Sequence, residues 1–176
     1  MANSFTAVST VVAGTAGTAA WANAQVRDNM DFLATSKPNC RAFNSAAISI
    51  TTSGTPQALT LDSERFDKGA GSHSTVTNTG RLTVPSSCAG VYLTGAYTSW
   101  ASNTSGVRVC AIRLNGATTI GADSKNTRSD GFCDHSPATL YALSVGDYLE
   151  IVMTQSSGGA LNVAATPELW WTWQSN

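Results

Sequence analysis

The sequence predicts an all-β sandwich of the jelly-roll type, preceded by an extended N-terminal arm and one amphipathic helix. Three observations carry this prediction. From residue 40 onward, short segments of alternating apolar and polar residues are separated by turn signals, and no convincing helical pattern interrupts them. Asn115-Gly116 joins two such segments and is the strongest hairpin signal in the chain. Before residue 37, apolar residues recur instead at helical spacing.

The arm comprises residues 1–17, which are mostly small and cannot bury enough apolar area to order themselves alone. Thr18 offers an N-cap for a helix that begins at Ala19 and continues to about residue 34. Lys37-Pro38 ends this helix, because proline disfavours the helical conformation of the residue before it.

The predicted helix has an apolar stripe formed by Ala22, Val26, Met30 and Leu33, at spacings of four, four and three residues. A single helix of this length is marginal in water and needs a surface to pack on. It either folds back on the sandwich or associates with itself or another protein. We favour the second alternative, since the helix precedes the sandwich instead of interrupting it. The stripe and Trp21 are therefore the predicted docking residues.

These patterns divide the chain into an arm with a docking helix, residues 1–36, and a jelly-roll domain, residues 40–176. The strands predicted in the jelly-roll domain are residues 41–43, 46–50, 57–61, 63–66, 74–77, 81–84, 91–100, 107–114, 118–124, 138–143, 148–155 and 169–174.

Several short motifs occur in a fixed order along the jelly-roll domain. They are Phe66-Asp67, Thr79-Gly-Arg-Leu-Thr-Val-Pro85, Gly90-Val-Tyr-Leu93, Val109-Cys-Ala-Ile-Arg-Leu-Asn-Gly116, Leu143 followed by Gly146-Asp147-Tyr-Leu-Glu-Ile151, and a closing aromatic strand. In this order they resemble the complement C1q and tumour necrosis factor (TNF) superfamily. Leu82 departs from the pattern, because the superfamily usually has an aromatic residue there. The resemblance implies a jelly roll that forms a homotrimer and serves as a binding or structural unit.

The closing strand is unusually rich in tryptophan. Leu169, Trp171 and Trp173 alternate toward one face and Trp170 points to the other. Each tryptophan buries roughly 150–250 Å² of surface, more than a sandwich of this size covers on every face of such a strand. One interpretation is a core with a partly exposed ring, and the other is a three-fold contact. C1q-like modules place inner-sheet aromatic residues near the trimer axis, so we assign Tyr92, Leu169, Trp171 and Trp173 to the trimer interface or core.

A second resemblance covers the helix. Residues 19–33, the following Lys-Pro and residues 61–67 resemble virion proteins of tailed bacteriophages that infect actinobacteria. Such proteins are minor tail, head-fibre or capsid decoration proteins. The resemblance implies a virion protein assembled in the host bacterial cytoplasm, with capsid or tail proteins as further partners. We expect the arm and helix to anchor a trimeric head; the alternative is a tail-fibre or tail-tip protein that binds a receptor or host surface glycan.

The four cysteines, Cys40, Cys88, Cys110 and Cys133, form no C-x-x-C pair, so no zinc site is predicted. Free thiols are favoured, and one or two disulfides are the alternative for a particle that ends up outside the cell. Cys88 and Cys133 lie in turn-like segments and are the pair expected to be exposed.

No catalytic site and no cofactor are predicted. His135 lies two residues after Cys133 on a loop-like stretch, where sequence neighbours do not supply the facing side chains that a nucleophile and its base need. We therefore expect a solvated or interface loop. Asp123, Asp130 and Asp134 lie in one predicted connection and are a weak candidate for calcium, against a solvated acidic loop.

The composition excludes several partners. Charged residues make up 12% of the chain and the net charge is −1, with no basic run, so neither nucleic acid nor an anionic membrane is an expected partner. No stretch approaches the ~20 apolar residues of a membrane span. The N-terminus lacks the cationic start and apolar core of a secretory signal, so we expect no export by the classical route.

Overall fold

The computed structural model describes residues 5–7, 9–10, 13–14, 16–69 and 71–176. The strands are β1 (Asn39–Phe43), β2 (Ile48–Ile50), β3 (Gln57–Ala58), β4 (Ser63–Lys68), β5 (Leu82–Thr83), β6 (Gly90–Ser99), β7 (Val107–Leu114), β8 (Thr118–Asn126), β9 (Asp134–His135), β10 (Ala138–Leu143), β11 (Tyr148–Gln155), β12 (Leu161–Val163) and β13 (Glu168–Ser175). Among these residues, no helix is long and apolar enough to span a membrane.

Two antiparallel sheets form the sandwich. Sheet 1 has the strand order β10-β6-β13-β1-β4, with β9 paired to one end of β6. Sheet 2 has the order β3-β11-β7-β8, with β5 paired to β11. A short ribbon of β2 and β12 lies beside them. Strands that are neighbours in a sheet are mostly distant in sequence, as the predicted jelly roll requires.

The core fills the space between the inward faces of the two sheets. Trp171 of β13 is fully buried, and its ring centroid lies 4.8 Å from that of Tyr92 on β6. Ile112 of β7 and Ile151 of β11 are buried on the facing sheet. The alternation of buried and exposed positions along β11 and β13 is the period-two pattern from which these strands were predicted.

Most predicted strands are confirmed, and three local differences have physical reasons. Residues 74–77 form a bend, because the Ser74 hydroxyl accepts from the backbone N–H groups of Val76 and Thr77 and replaces a sheet partner. The two strands that were not predicted, β9 and β12, are two and three residues long and too short for a periodic signal. The Asn115-Gly116 hairpin is confirmed, with φ angles of 52° and 72° at its two residues.

The N-terminal helix covers residues 19–36 and is not a regular α-helix. Its α-helical turns, Ala19–Ala22 and Asp28–Asp31, alternate with π-helical turns, Asn23–Arg27 and Phe32–Ser36. The Thr18 side chain accepts from the N–H of Trp21, as the predicted N-cap should.

One face of the helix packs on the sandwich. Asn29, Phe32 and Ser36 are its buried residues. The Phe32 ring is 1% exposed and stands edge-on to Trp173 of β13, with 5.2 Å between the ring centroids. The helix therefore shares the core of the jelly-roll domain through Phe32. The helix thus folds back on the sandwich along one face, as the first alternative for it supposed.

Candidate interaction surfaces

The outward face of sheet 1 is apolar. Strand register places Leu140, Leu93 and Thr172 opposite one another in one row, and Gly95, Trp170, Arg41 and Phe66 in the next. Opposite residues of a ladder share a face, so these side chains form one continuous surface. We call it the sheet-1 outer face and define it by Phe66, Leu93, Tyr97, Leu140 and Trp170.

Several large side chains on this face are open to solvent in the protomer. Leu140 is 61% exposed, Tyr97 42% and Phe66 37%. Trp170 is half-buried because its ring lies over Gly95, where a Cβ atom would come within 2.4 Å of the indole. Gly95 therefore lets the tryptophan lie flat along the sheet. Antiparallel sheets usually turn a polar face to water, so this apolar face is the one that departs from the rule.

A buried carboxylate lies on the same face. Glu168 is 3% exposed and accepts from the Nε groups of Arg41 and Arg65. The Arg65 guanidinium in turn lies 4.7 Å above the centre of the Phe43 ring. Both arginines keep a large part of their side chains exposed, so the carboxylate is paired at the surface and not deep in the core. The buried carboxylate on this face is thus paired with two arginines of the same protomer.

The outward face of sheet 2 carries smaller side chains. Register places Ala111 opposite both Val152 and Ala122, and Val109 opposite both Thr154 and Ser124. Its one large feature is polar: the guanidinium of Arg81 lies 3.9 Å above the Tyr148 ring and its Nε is 4.0 Å from Glu150. This face offers no cluster of large exposed apolar groups comparable with Leu140, Tyr97 and Phe66.

The four residues predicted for the trimer interface or core all lie inside the protomer. Tyr92, Leu169 and Trp171 have 0% exposure and Trp173 has 4%. The Tyr92 hydroxyl donates to the backbone oxygen of Cys88 at 2.7 Å. The exposed apolar side chains of sheet 1 lie on the opposite side of the same strands. The alternation of β13 already distinguished Trp170 from Trp171, but not which of the two faced the core.

The predicted docking stripe of the helix faces away from the sandwich. Exposure is 37% at Trp21, 52% at Val26, 66% at Met30 and 46% at Leu33, and Ala22 is also exposed. The helix packs on its own domain through Asn29, Phe32 and Ser36, which leaves the predicted stripe exposed, and docking of that stripe on a partner stays a prediction. We call the exposed set the helix outer stripe.

The arm is fastened to the helix by side-chain amides. The backbone N–H of Thr6 donates to Asn29 Oδ1 at 2.8 Å, and Asn29 Nδ2 donates back to the Thr6 oxygen at 2.9 Å. Further along, the N–H of Ser9 donates to Gln25 Oε1 at 2.9 Å. Phe5 packs near both Phe32 and Trp173. Sequence reasoning missed this arrangement, because no periodic signal links an arm to side chains about twenty residues away.

The cysteines and histidines are placed differently from the prediction. None of the four cysteines forms a disulfide and all are buried, so the expectation that Cys88 and Cys133 are exposed is wrong. The expected solvated loop at His135 is also wrong: this residue lies in β9 with 0% exposure, and its Nε2 is 3.4 Å from Cys133 Sγ. Among the described residues, no group of three His, Cys, Asp or Glu side chains could hold a metal ion.

A small polar cavity of about 220 Å³ lies between the loop after β4 and strand β5. Hydroxyl, amide, imidazole and guanidinium groups line it. Its lining residues are Gly71, Ser72, His73, Ser74, Thr77, Asn78, Arg81 and Thr83. His73 is fixed at its edge, with Nδ1 2.8 Å from Glu64 Oε1 and Nε2 2.9 Å from the Thr79 oxygen.

Comparison with known proteins shows the fold and not a family. The sequence matches no family model, and it matches no curated protein at a significant level. Murine APRIL at pH 8.5 has 10% identity and a TM-score of 0.59, over 78% of this chain and 98% of that one. The globular domain of zebrafish complement 1qA has 14% identity and a TM-score of 0.57, over 80% of this chain and all of that one. The predicted C1q/TNF-like jelly-roll fold is confirmed.

Proposed function

We propose that this chain is a homotrimeric structural protein of a virion surface, anchored by its N-terminal arm and helix and presenting a jelly-roll head. Capsid decoration or a head fibre is the role we favour. The proposal rests chiefly on the apolar sheet-1 outer face. It needs no catalytic site, in keeping with a fold that is shared with complement and TNF-family binding domains.

The trimer follows from what the sheet-1 outer face requires. Burial of apolar area contributes about 25 cal/mol per Å², so Leu140, Tyr97 and Phe66 favour a state in which another surface covers them. The resemblance to C1q and TNF proteins implies that this surface is a second and a third copy of the same chain. The ion pairs that Glu168 forms with Arg41 and Arg65 leave this buried carboxylate partnered within its own protomer.

Anchoring follows from the two faces of the helix. Phe32 holds the helix on its own domain, so the helix is already positioned before any partner arrives. The helix outer stripe then presents Trp21, Val26, Met30 and Leu33 to a second protein. We infer that this partner is a capsid or tail protein, because the same segment resembles a helix of phage virion proteins.

The oligomeric state tests the trimer directly. Light scattering and native mass spectrometry of the full chain at micromolar concentration should give a trimer, and Leu140→Lys combined with Tyr97→Lys should give a folded monomer. Val76→Lys is the matched control, since Val76 is an exposed apolar residue on a loop away from this face, at 84% exposure. A wild-type protein that is monomeric under these conditions would remove the trimer.

Co-sedimentation tests the anchor. Particles that lack the protein should recover the wild-type chain, and Val26→Asp with Met30→Asp should abolish recovery while leaving the trimer intact. Asp31→Asn, on the same helix but outside the stripe, serves as the control. Full recovery of the double variant would contradict docking through the helix outer stripe.

The polar cavity favours one second candidate, recognition of a host surface glycan at a tail fibre or tail tip. Its hydroxyl and amide groups and Arg81 are the kinds of donor and acceptor that bind sugar hydroxyls. Glycan-array binding that is lost in Asn78→Ala and Arg81→Ala, but kept in the helix variants, would favour this role. Copy number per particle separates the locations: hundreds indicate the capsid and a few indicate the tail.

A further inference from the structure

Near one end of the sandwich, the thiol of Cys133 lies next to the imidazole of His135, which in turn lies next to the carboxylate of Asp123. Cys133 Sγ is 3.4 Å from His135 Nε2, and His135 Nδ1 is 3.2 Å from Asp123 Oδ2. Cys133 is 4% exposed and His135 is fully buried. Asp123 comes from β8 and His135 from β9, so the pairing of β6 with β9 and of β7 with β8 brings the three side chains together.

The tautomer that fits these contacts carries its hydrogen on Nδ1. That nitrogen lies 3.2 Å from Asp123 Oδ2 without forming a well-aligned hydrogen bond, and Nε2 is left to accept from the Cys133 thiol. This is the arrangement in which a nucleophile faces a general base and a carboxylate orients that base. Burial raises the pKa of Cys133, so the resting form is the thiol and not the thiolate.

Two cations lie near this thiol. Lys125 Nζ is 2.6 Å from Asp123 Oδ2 and donates to the Asp134 backbone oxygen at 2.7 Å. Arg108 is fully buried, and its described hydrogen bonds go to the uncharged oxygens of Val107 and Asn103. Both cations oppose the effect of burial on the pKa of Cys133, whereas Asp123 and Asp134 act with burial. An anionic sulfur at Cys133 is therefore only a transient species, and its proton must pass to His135.

We propose that Cys133 is a thiol–disulfide exchange site for small disulfides. The Cys133 sulfur attacks one sulfur of the small disulfide, a new S–S bond forms to the protein, and the S–S bond of the reagent breaks. His135 Nε2 takes the thiol proton and then delivers it to the departing thiolate, so a thiol leaves and no external oxidant is needed. Asp123 is a positioning residue, because it acts through His135.

Access depends on the loop before β9. The N–H of Asn103 donates to the Gly131 oxygen at 3.0 Å, and the Ser102 hydroxyl donates to the Asp130 oxygen at 3.0 Å. A third bond, from the Trp100 N–H to the Cys133 oxygen at 3.0 Å, holds the cysteine itself. The part of the loop before Cys133 is held by single hydrogen bonds and not by a sheet ladder, so it opens locally more readily than the core strands do. Ser102→Ala should therefore speed the reaction of Cys133 severalfold without touching the base.

The other buried thiols provide controls within the same molecule. Asp67 and Glu64 act on Cys40 in the same direction as burial, and both raise its pKa. Burial raises the pKa of Cys110 to about 12. Neither thiol has a histidine among the groups that act on it. Both should react only when the whole domain unfolds.

The test uses the full chain and 4,4′-dithiodipyridine, a small neutral disulfide, with peptide mass spectrometry to locate the label. Wild-type protein should show one fast phase, at Cys133. Cys133→Ser should remove this phase, and His135→Gln should slow it about 100-fold, within the range for general base catalysis. The wild-type rate should fall only in acid, where His135 gains a proton, whereas the His135→Gln rate should keep rising with pH as the thiol ionises.

Folding of each variant is checked by its thermal transition. Where His135→Gln unfolds the domain, all four thiols react together, and Asp123→Asn then decides: a folded variant with about tenfold slower labelling of Cys133 supports the proposal. Fast labelling at another cysteine, a Cys133 rate no faster than that of Cys110, or an unchanged rate in folded His135→Gln or Asp123→Asn would overturn it.

Discussion

The outer faces of the two sheets are both antiparallel but leave different amounts of apolar surface in water. On sheet 1, Leu140, Tyr97 and Phe66 project from three different strands and leave large apolar groups exposed. On sheet 2, Ala111 and Val152 occupy outward positions but are buried, with 7% and 4% exposure. Sheet 1 is therefore the face whose apolar groups gain most from being covered by another surface.

The same contrast occurs on the helix at a smaller scale. Phe32 turns inward and is nearly inaccessible, while Met30, two residues earlier, is 66% exposed. Residues two apart lie about 200° apart around a helix, so Phe32 and Met30 face opposite sides. In both places large apolar side chains stay exposed after the domain has completed its own core. Such surplus apolar surface is where we expect a partner to bind.

Trp170 and Trp171 on β13 should give the largest difference between an effect on protomer stability and an effect on self-association. Trp171→Ala removes a fully buried indole and should lower the free energy of unfolding by about 3–5 kcal/mol. Trp170→Ala should cost the isolated protomer much less, yet weaken self-association, because Trp170 lies on the sheet-1 outer face. Urea unfolding and analytical ultracentrifugation of the two variants measure both effects. Equal losses of protomer stability would contradict the assignment of faces.

The two faces of the helix should differ next most strongly. Phe32→Ala opens a cavity beside Trp173 and should destabilise the domain by about 3 kcal/mol, at the lower end for a buried phenylalanine because the contact lies at the edge of the core. Met30→Ala, on the helix outer stripe, should change stability by less than about 0.5 kcal/mol. Thermal denaturation of both variants decides. A small effect of Phe32→Ala would restore the view that residues 1–36 are independent of the jelly-roll domain.

Glutamates on the two outer faces allow a matched comparison of charge. Glu168→Gln leaves Arg41 and Arg65 without their shared carboxylate and should cost about 1–2 kcal/mol, since both arginines can still reach water. Glu150→Gln breaks only the 4.0 Å contact with Arg81 and should cost less than about 1 kcal/mol. Chemical denaturation at low and high salt measures the difference. A larger loss of stability in Glu150→Gln than in Glu168→Gln would contradict the stronger ion pairing assigned to the sheet-1 outer face.

The sequence was sufficient to predict the fold, but it did not show which face of each strand points into the core. Alternation at the ends of β7 and β11 and along most of β13 indicates strands, although β7 and β11 each include three consecutive buried residues. It also separates Trp170 from Trp171, but a strand that is apolar on both faces gives no local signal of which face is inside. That choice is made by the opposite sheet, whose side chains come from distant parts of the chain.

The helix and the thiol site show the same limit. Spacing along residues 19–34 identifies the stripe of Val26 and Met30, which is exposed, but not the face that packs on the sandwich, because that face combines Phe32 with polar residues. The contact of Cys133 with His135 and Asp123 depends on β9, a strand of two residues that pairs with the end of β6. No periodic pattern exists at that length. Local irregularity and long-range pairing are the parts of the structure that single-sequence patterns do not contain.

The smallest expected effect is the dependence of stability on pH. It arises from His135, which is buried between the sheets and lies on neither outer face. Burial lowers the pKa of His135 below the ordinary value of 6.5, although Asp123 acts in the opposite direction, as does Asp134, while Lys125 acts with burial. The unfolded chain then binds a proton at a higher pH than the folded chain does. Stability should therefore fall as pH decreases below about 6.5, because the unfolded state gains the proton first.

The pKa of Asp123 is also lowered in the fold: its burial acts upward, but Lys125 and His135 outweigh it. Its contribution to stability is present above pH 3.8 and is lost only as pH falls through the lower, folded value. The slope of melting temperature between about pH 6.5 and pH 4 should thus come from His135 and become shallower in His135→Gln. Thermal scans in buffers of constant ionic strength measure this slope. An unchanged slope in His135→Gln would mean that another group carries the acid sensitivity of the domain.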